Sequence, residues 1–164
     1  MQKKLVIGVV ILVLLISGFF VLRKPKTDNQ QQSATPTPGF AEQLAPDQYP
    51  KVSLDFSPDA HYVTVNITNI KADQIEYNLI YDATVKGTKI QSGVSASSKL
   101  EGKTKYSYKQ LLGSESSGKF TYHTKIDNAV MELSLRDSAG RSVYNATLPF
   151  TVSPGKTIDL TSSQ

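Results

Sequence analysis

Residues 5–22, LVIGVVILVLLISGFFVL, run for eighteen positions without a charge, and that run divides the chain before any other feature is considered. At about 1.5 Å of rise per residue, a helix of this length spans roughly 27 Å, close to the hydrocarbon thickness of a bilayer. Leu5, Val6, Ile7, Leu12, Leu15, Phe19, Phe20 and Leu22 are the side chains expected to meet lipid, and Ser17 is able to back-bond within the helix. Lys3 and Lys4 precede the run; Arg23, Lys24 and Lys26 follow it. A cleaved signal peptide is the competing reading. It fits less well, because the run exceeds the usual ~7–15 residues and positive charge stands where a small-residue cleavage site belongs. No Cys follows, which excludes a lipidated-cysteine anchor. Basic residues are nearly tied across the run, so orientation rests on the short amino-terminal tail and the basic-then-apolar order of an export signal. The expectation is a single-pass protein of the cell membrane with an extracytoplasmic C-terminal domain.

The charge balance supports no nucleic-acid partner. The net charge is +4, and five of the eighteen Lys and Arg lie at the membrane flanks. Residues 27–50 carry only Asp28, Glu42 and Asp47, while residues 51–164 carry 13 basic against 11 acidic side chains. The basic character therefore belongs to the flanks and not to a nucleic-acid footprint. With no Cys in the chain, disulfides, thiolate metal sites and Cys nucleophiles are excluded.

Residues 27–50 read as a linker. Four of the eight prolines lie there, at Pro36, Pro38, Pro46 and Pro50, and they favour extended backbone. Phe40, Leu44 and Tyr49 are its large apolar side chains, and Tyr49 is placed to pack on the domain that begins at Lys51. From Lys51 the pattern changes to period two, the strand signal. Val52, Leu54 and Phe56 alternate with polar residues, as do Val63, Val65 and Ile67, and then Ile75, Tyr77, Leu79 and Tyr81. Weaker runs fall at 88–94 and 106–112, another is marked by Phe120, Tyr122 and Ile126, and Met131, Leu133 and Leu135 come next. The last run places Tyr144, Ala146, Leu148, Phe150 and Val152 on one face and Pro149 on the other, which suits an edge strand. Ser57-Pro58-Asp59-Ala60 and Asp137-Ser138-Ala139-Gly140-Arg141 are turn sequences. Seven or eight short strands with one apolar face each predict an all-β, antiparallel two-sheet sandwich over residues 51–164.

The strand count, the length and the strand–DSAGR–strand ending resemble an immunoglobulin-like or fibronectin type III-like domain. The segment LLGSESSGKFTYH at 111–123, with LRDSAGR after it, also resembles a block in uncharacterised bacterial membrane-anchored β-domain proteins. That second resemblance implies no activity. The chain has neither the Trp nor the Cys pair that pins antibody-type cores.

Local motifs give no catalytic constellation. Residues 113–119, GSESSGK, match the start of a phosphate-binding loop, but Phe120 stands where a magnesium-holding hydroxyl is required and a strand pattern comes next in place of a helix. Leu148-Pro149-Phe150-Thr151 resembles the start of a sortase signal, yet Val152 replaces its Gly. His61 and His123 read as surface or strand-end histidines with no metal-ligand spacing. Ser114, Ser116 and Ser117 lack a nucleophile elbow. Asp55, Asp59, Asp73, Asp127 and Asp137 suit turns better than Ca²⁺ loops. Asn66 and Asn145 match the N-glycosylation pattern, both in mid-strand. Of the eight Tyr, Tyr77, Tyr81 and Tyr122 share core parity, whereas Tyr62 takes the opposite parity and is the candidate for a binding surface.

The sequence thus leads to a non-enzymatic envelope module that needs no cofactor or metal. Its expected partners are the lipid bilayer and an envelope protein or glycan. An accessory subunit of a larger membrane complex is the alternative, and a surface hydrolase is the least supported.

Overall fold

The computed structural model describes residues 41–160. The apolar run at 5–22, most of the linker and the last four residues lie outside the described residues. Among the described residues no helix is long and apolar enough to cross a membrane.

The described chain is all-β, with ten strands in place of the seven or eight expected: β1 (Lys51–Phe56), β2 (Tyr62–Thr68), β3 (Gln74–Val85), β4 (Thr88–Lys99), β5 (Tyr106–Leu111), β6 (Gly113–Ser116), β7 (Lys119–Tyr122), β8 (Thr124–Arg136), β9 (Ser142–Phe150) and β10 (Thr157–Leu160). They form two four-stranded antiparallel sheets, ordered β10-β1-β2-β5 and β4-β3-β8-β9, and a separate two-stranded hairpin, β6-β7. The period-two pattern explains the pairing of the large sheets. Val52, Leu54 and Phe56 lie opposite Ile67, Val65 and Val63. Tyr77 and Leu79 lie opposite Leu133 and Met131, which in turn face Ala146 and Leu148. All but Ala146 are buried, and these apolar faces share one core. Each such side chain contributes about 1.5–3 kcal/mol by leaving water.

Contacts between the sheets make this a β-sandwich. The Phe56 and Phe150 rings lie 6.3 Å apart across the core, and Gln110 of β5 donates to the Tyr77 hydroxyl of β3 at 3.1 Å. On the opposite flank the chain preceding β1 covers the edge of β9. Ala41 and Leu44 donate backbone N–H groups to the Ser142 and Val143 carbonyls, and the Tyr49 ring tilts onto Tyr144 at 5.0 Å. Pro149 sits on this edge strand, as its parity predicts.

Candidate functional site

One end of the sandwich gathers a set of polar and aromatic side chains outside the core. It is built from the β1–β2 loop, the outer face of β2 and β5, and the β6–β7 hairpin. In the loop, Ser57 Oγ donates to Asp59 Oδ1 at 2.6 Å and the His61 backbone N–H donates to the same oxygen at 3.0 Å. These donors hold the Asp59 carboxyl below the usual carboxylate range. His61 Nδ1 lies 3.0 Å from Asp59 Oδ2, which fixes the ring. The order Ser–Asp–His places the carboxylate between hydroxyl and imidazole, so it does not activate the serine as a nucleophile.

The hairpin is pinned by Leu112, which is buried. Its N–H donates to the His61 carbonyl and its carbonyl accepts from the His123 N–H. Ser117 and Gly118 at the tip both take positive φ, 51° and 75°, the requirement of a two-residue type I′ turn. The phosphate-loop match at 113–119 is therefore the first arm and turn of a hairpin. Gly113 is obligatory for a different reason: a Cβ there would lie 2.4 Å from the Thr121 carbonyl oxygen.

This geometry carries a ring stack. Phe120 and Tyr122 are parallel within 8° at 6.3 Å, and Tyr122 lies flat on His61, 3.6 Å between centroids and 5° between planes. Tyr62 meets Tyr122 edge-on at 6.4 Å, and Lys109 Nζ sits 4.3 Å above the Tyr62 ring. The interaction with the Tyr62 hydroxyl raises the Tyr122 phenol above its ordinary value. Phe120 is 48% exposed. Beside Tyr62 and Lys109 opens a shallow cleft of about 390 Å³ with Asp55, Thr64 and Gly155 on its walls.

Tyr62 is half-buried at this end and its face is covered by Lys109. Phe120 is the exposed ring of the stack, and the parity argument did not single it out; Tyr108 on β5, 51% exposed, stands outside the stack. Tyr77 and Tyr81 are buried as expected, but Tyr122 is not. The hairpin forms its own sheet, so parity with the core positions carries no information there. His123 departs from its expected surface position too. It lies between β7 and β8, is 6% exposed, and places Nδ1 3.1 Å from the Tyr81 hydroxyl.

The remaining motifs have structural roles. Asp137 Oδ1 accepts the Ala139 and Arg141 N–H groups, and Oδ2 accepts the Arg141 guanidinium at 2.8 Å. Asp55 accepts the Thr157 hydroxyl, and Asn66 accepts that of Ser107. A polar depression of about 440 Å³ on the outer face of β3, β8 and β9 holds Glu132 and a Glu76–Arg136 pair at 3.6 Å. Among the described residues no group of three or more His, Asp and Glu is placed to hold a metal ion. Comparison with family models, curated proteins and solved structures finds no match.

Proposed function

We propose that this chain is a single-pass membrane protein presenting an immunoglobulin-like or fibronectin type III-like sandwich outside the cytoplasmic membrane, as a non-enzymatic glycan-binding module of the cell envelope. The observation that carries the reading is the Phe120–Tyr122–His61 stack. A sugar ring has a flat apolar face and hydroxyl edges. The outward faces of the stack suit the first; the Asp59 carboxylate, the Lys109 ammonium and the phenols of Tyr62 and Tyr122 suit the second. A protein partner of standard size covers about 800 Å² per side, more than the faces this stack leaves uncovered. The sandwich subtype is supported by strand order, with β1, β2 and β5 in one sheet, β10 added at its edge, and β4, β3, β8 and β9 in the other. The anchor rests on the uncharged run at 5–22.

The test uses the full chain in detergent, passed over insoluble envelope polysaccharide and, separately, over immobilised envelope proteins. Retention on the polysaccharide that drops at least tenfold in Phe120→Ala supports the reading. Retention on protein alone, or retention indifferent to Phe120, overturns it. Carbonate extraction and protease treatment of intact cells test the anchor and its orientation: a chain that washes off, or a domain protected until lysis, contradicts them.

A further inference from the structure

We propose that the cleft beside the aromatic stack is a binding site for an amino-acid zwitterion, borne by the glycan as a substituent; the glycan part rests on the reading above. Three strands of one sheet set the polar groups of the cleft in a row. Asp55 of β1 lies opposite Thr64 of β2, and Thr64 lies opposite Lys109 of β5. The row takes the parity opposite to the buried Leu54, Val63 and Val65, so it stands on the outer face of the sheet. These three residues line the cleft of about 390 Å³ together with Tyr62 and Gly155. Its two charges are turned away from each other. Asp55 Oδ1 accepts the Thr157 hydroxyl at 3.1 Å, toward β10 and away from Thr64. Lys109 Nζ sits 4.3 Å from the Tyr62 ring centroid. Among the described residues neither forms an ion pair. Asp59, by contrast, is already taken up by Ser57 and His61.

An unpaired carboxylate and an unpaired ammonium on either side of a hydroxyl match a ligand with the same two charges reversed. Neighbouring strands lie about 4.8 Å apart, which puts the Asp55 and Lys109 backbones about 9.5 Å apart. A charge-assisted hydrogen bond takes about 2.8 Å at each end, so the ligand's own charges stand about 4 Å from one another. A short amino acid such as β-alanine spans that gap. Its ammonium meets Asp55, its carboxylate meets Lys109, and Thr64 Oγ1 between them can donate to the carboxylate. A ligand with only a cation has Lys109 as a like-charge neighbour, and one with only an anion has Asp55, so the row disfavours both. Tyr62 lines this cleft and meets Tyr122 of the stack edge-on. A sugar ring seated on the stack therefore brings its substituent to the row.

Chemical-shift titration of the isotope-labelled full chain in detergent tests this with probes of similar size: β-alanine, propylamine with the ammonium alone, and propionate with the carboxylate alone. β-Alanine is expected to shift the Thr64 and Lys109 amides at a concentration about tenfold below that needed for either single-charge probe. Asp55→Asn keeps an acceptor for Thr157, and Lys109→Gln keeps a polar side chain beside Tyr62. Each should raise the β-alanine midpoint about tenfold and leave thermal unfolding unchanged. Equal midpoints for all the probes, shifts centred away from Thr64, or indifference to both substitutions overturns the proposal. Polysaccharide retention that falls in Phe120→Ala but in neither cleft variant also overturns it, and leaves the glycan reading standing. β-Alanine bound at Thr64 with no polysaccharide retained supports the site and overturns the glycan reading.

Discussion

The Tyr81 hydroxyl lies 3.1 Å from His123 Nδ1 within the sandwich. Burial raises the Tyr81 phenol and lowers the His123 imidazole below its ordinary 6.5. The pair therefore stays neutral, one proton being shared between the phenol oxygen and Nδ1 in a sense set by the ring tautomer. His123 is the polar side chain that the core has taken in.

Stability should depend on acidity through this ring. The unfolded chain recovers the ordinary imidazole value, so just below pH 6.5 it binds more protons than the folded chain. The contribution is complete above that value and is lost as pH falls toward the lower folded pKa. Denaturant unfolding at a series of pH values should show a decline beginning near 6.5 that His123→Gln makes shallower. An unchanged decline would contradict the assignment.

Tyr81→Phe removes the hydroxyl and leaves a buried imidazole nitrogen without this partner. The expected cost is about 1–3 kcal/mol, measured as a lower denaturant midpoint at constant slope. A neutral effect would show that His123 finds another partner.

Leu112 joins the hairpin to the sandwich with a side chain that is 1% exposed. Leu112→Ala should cost about 2–5 kcal/mol and should abolish ligand retention by releasing the hairpin. Gly113→Ala drives a methyl against the Thr121 carbonyl and should cost about 1–3 kcal/mol. Ser114→Ala, on the same hairpin and exposed, should stay within about 0.5 kcal/mol.

The sandwich was legible wherever a strand buries large apolar side chains on one face. Val63, Val65 and Ile67 show this, as do Ile75, Tyr77, Leu79 and Tyr81. β4 was only partly legible because its core side is Ser92, Val94, Ala96 and Ser98, too small and polar to stand out. The aromatic end was the harder part. Phe120 and Tyr122 alternate like core residues, but a hairpin separate from both sheets gives that alternation no core to face. The His123 parity was misleading because the chain turns between β7 and β8 at that residue. Tyr62 was expected to be exposed from its parity, but it is half-buried, because Lys109, which covers it, lies forty-seven residues away and no local pattern pairs the two.

The most direct measurement is a chemical-shift titration of the isotope-labelled full chain in detergent with soluble envelope oligosaccharide. Shifts concentrated at residues 57–62, Lys109 and residues 113–122, and lost in Phe120→Ala, are what the account predicts. Shifts centred elsewhere on the sandwich, or unaltered by Phe120→Ala, would contradict it.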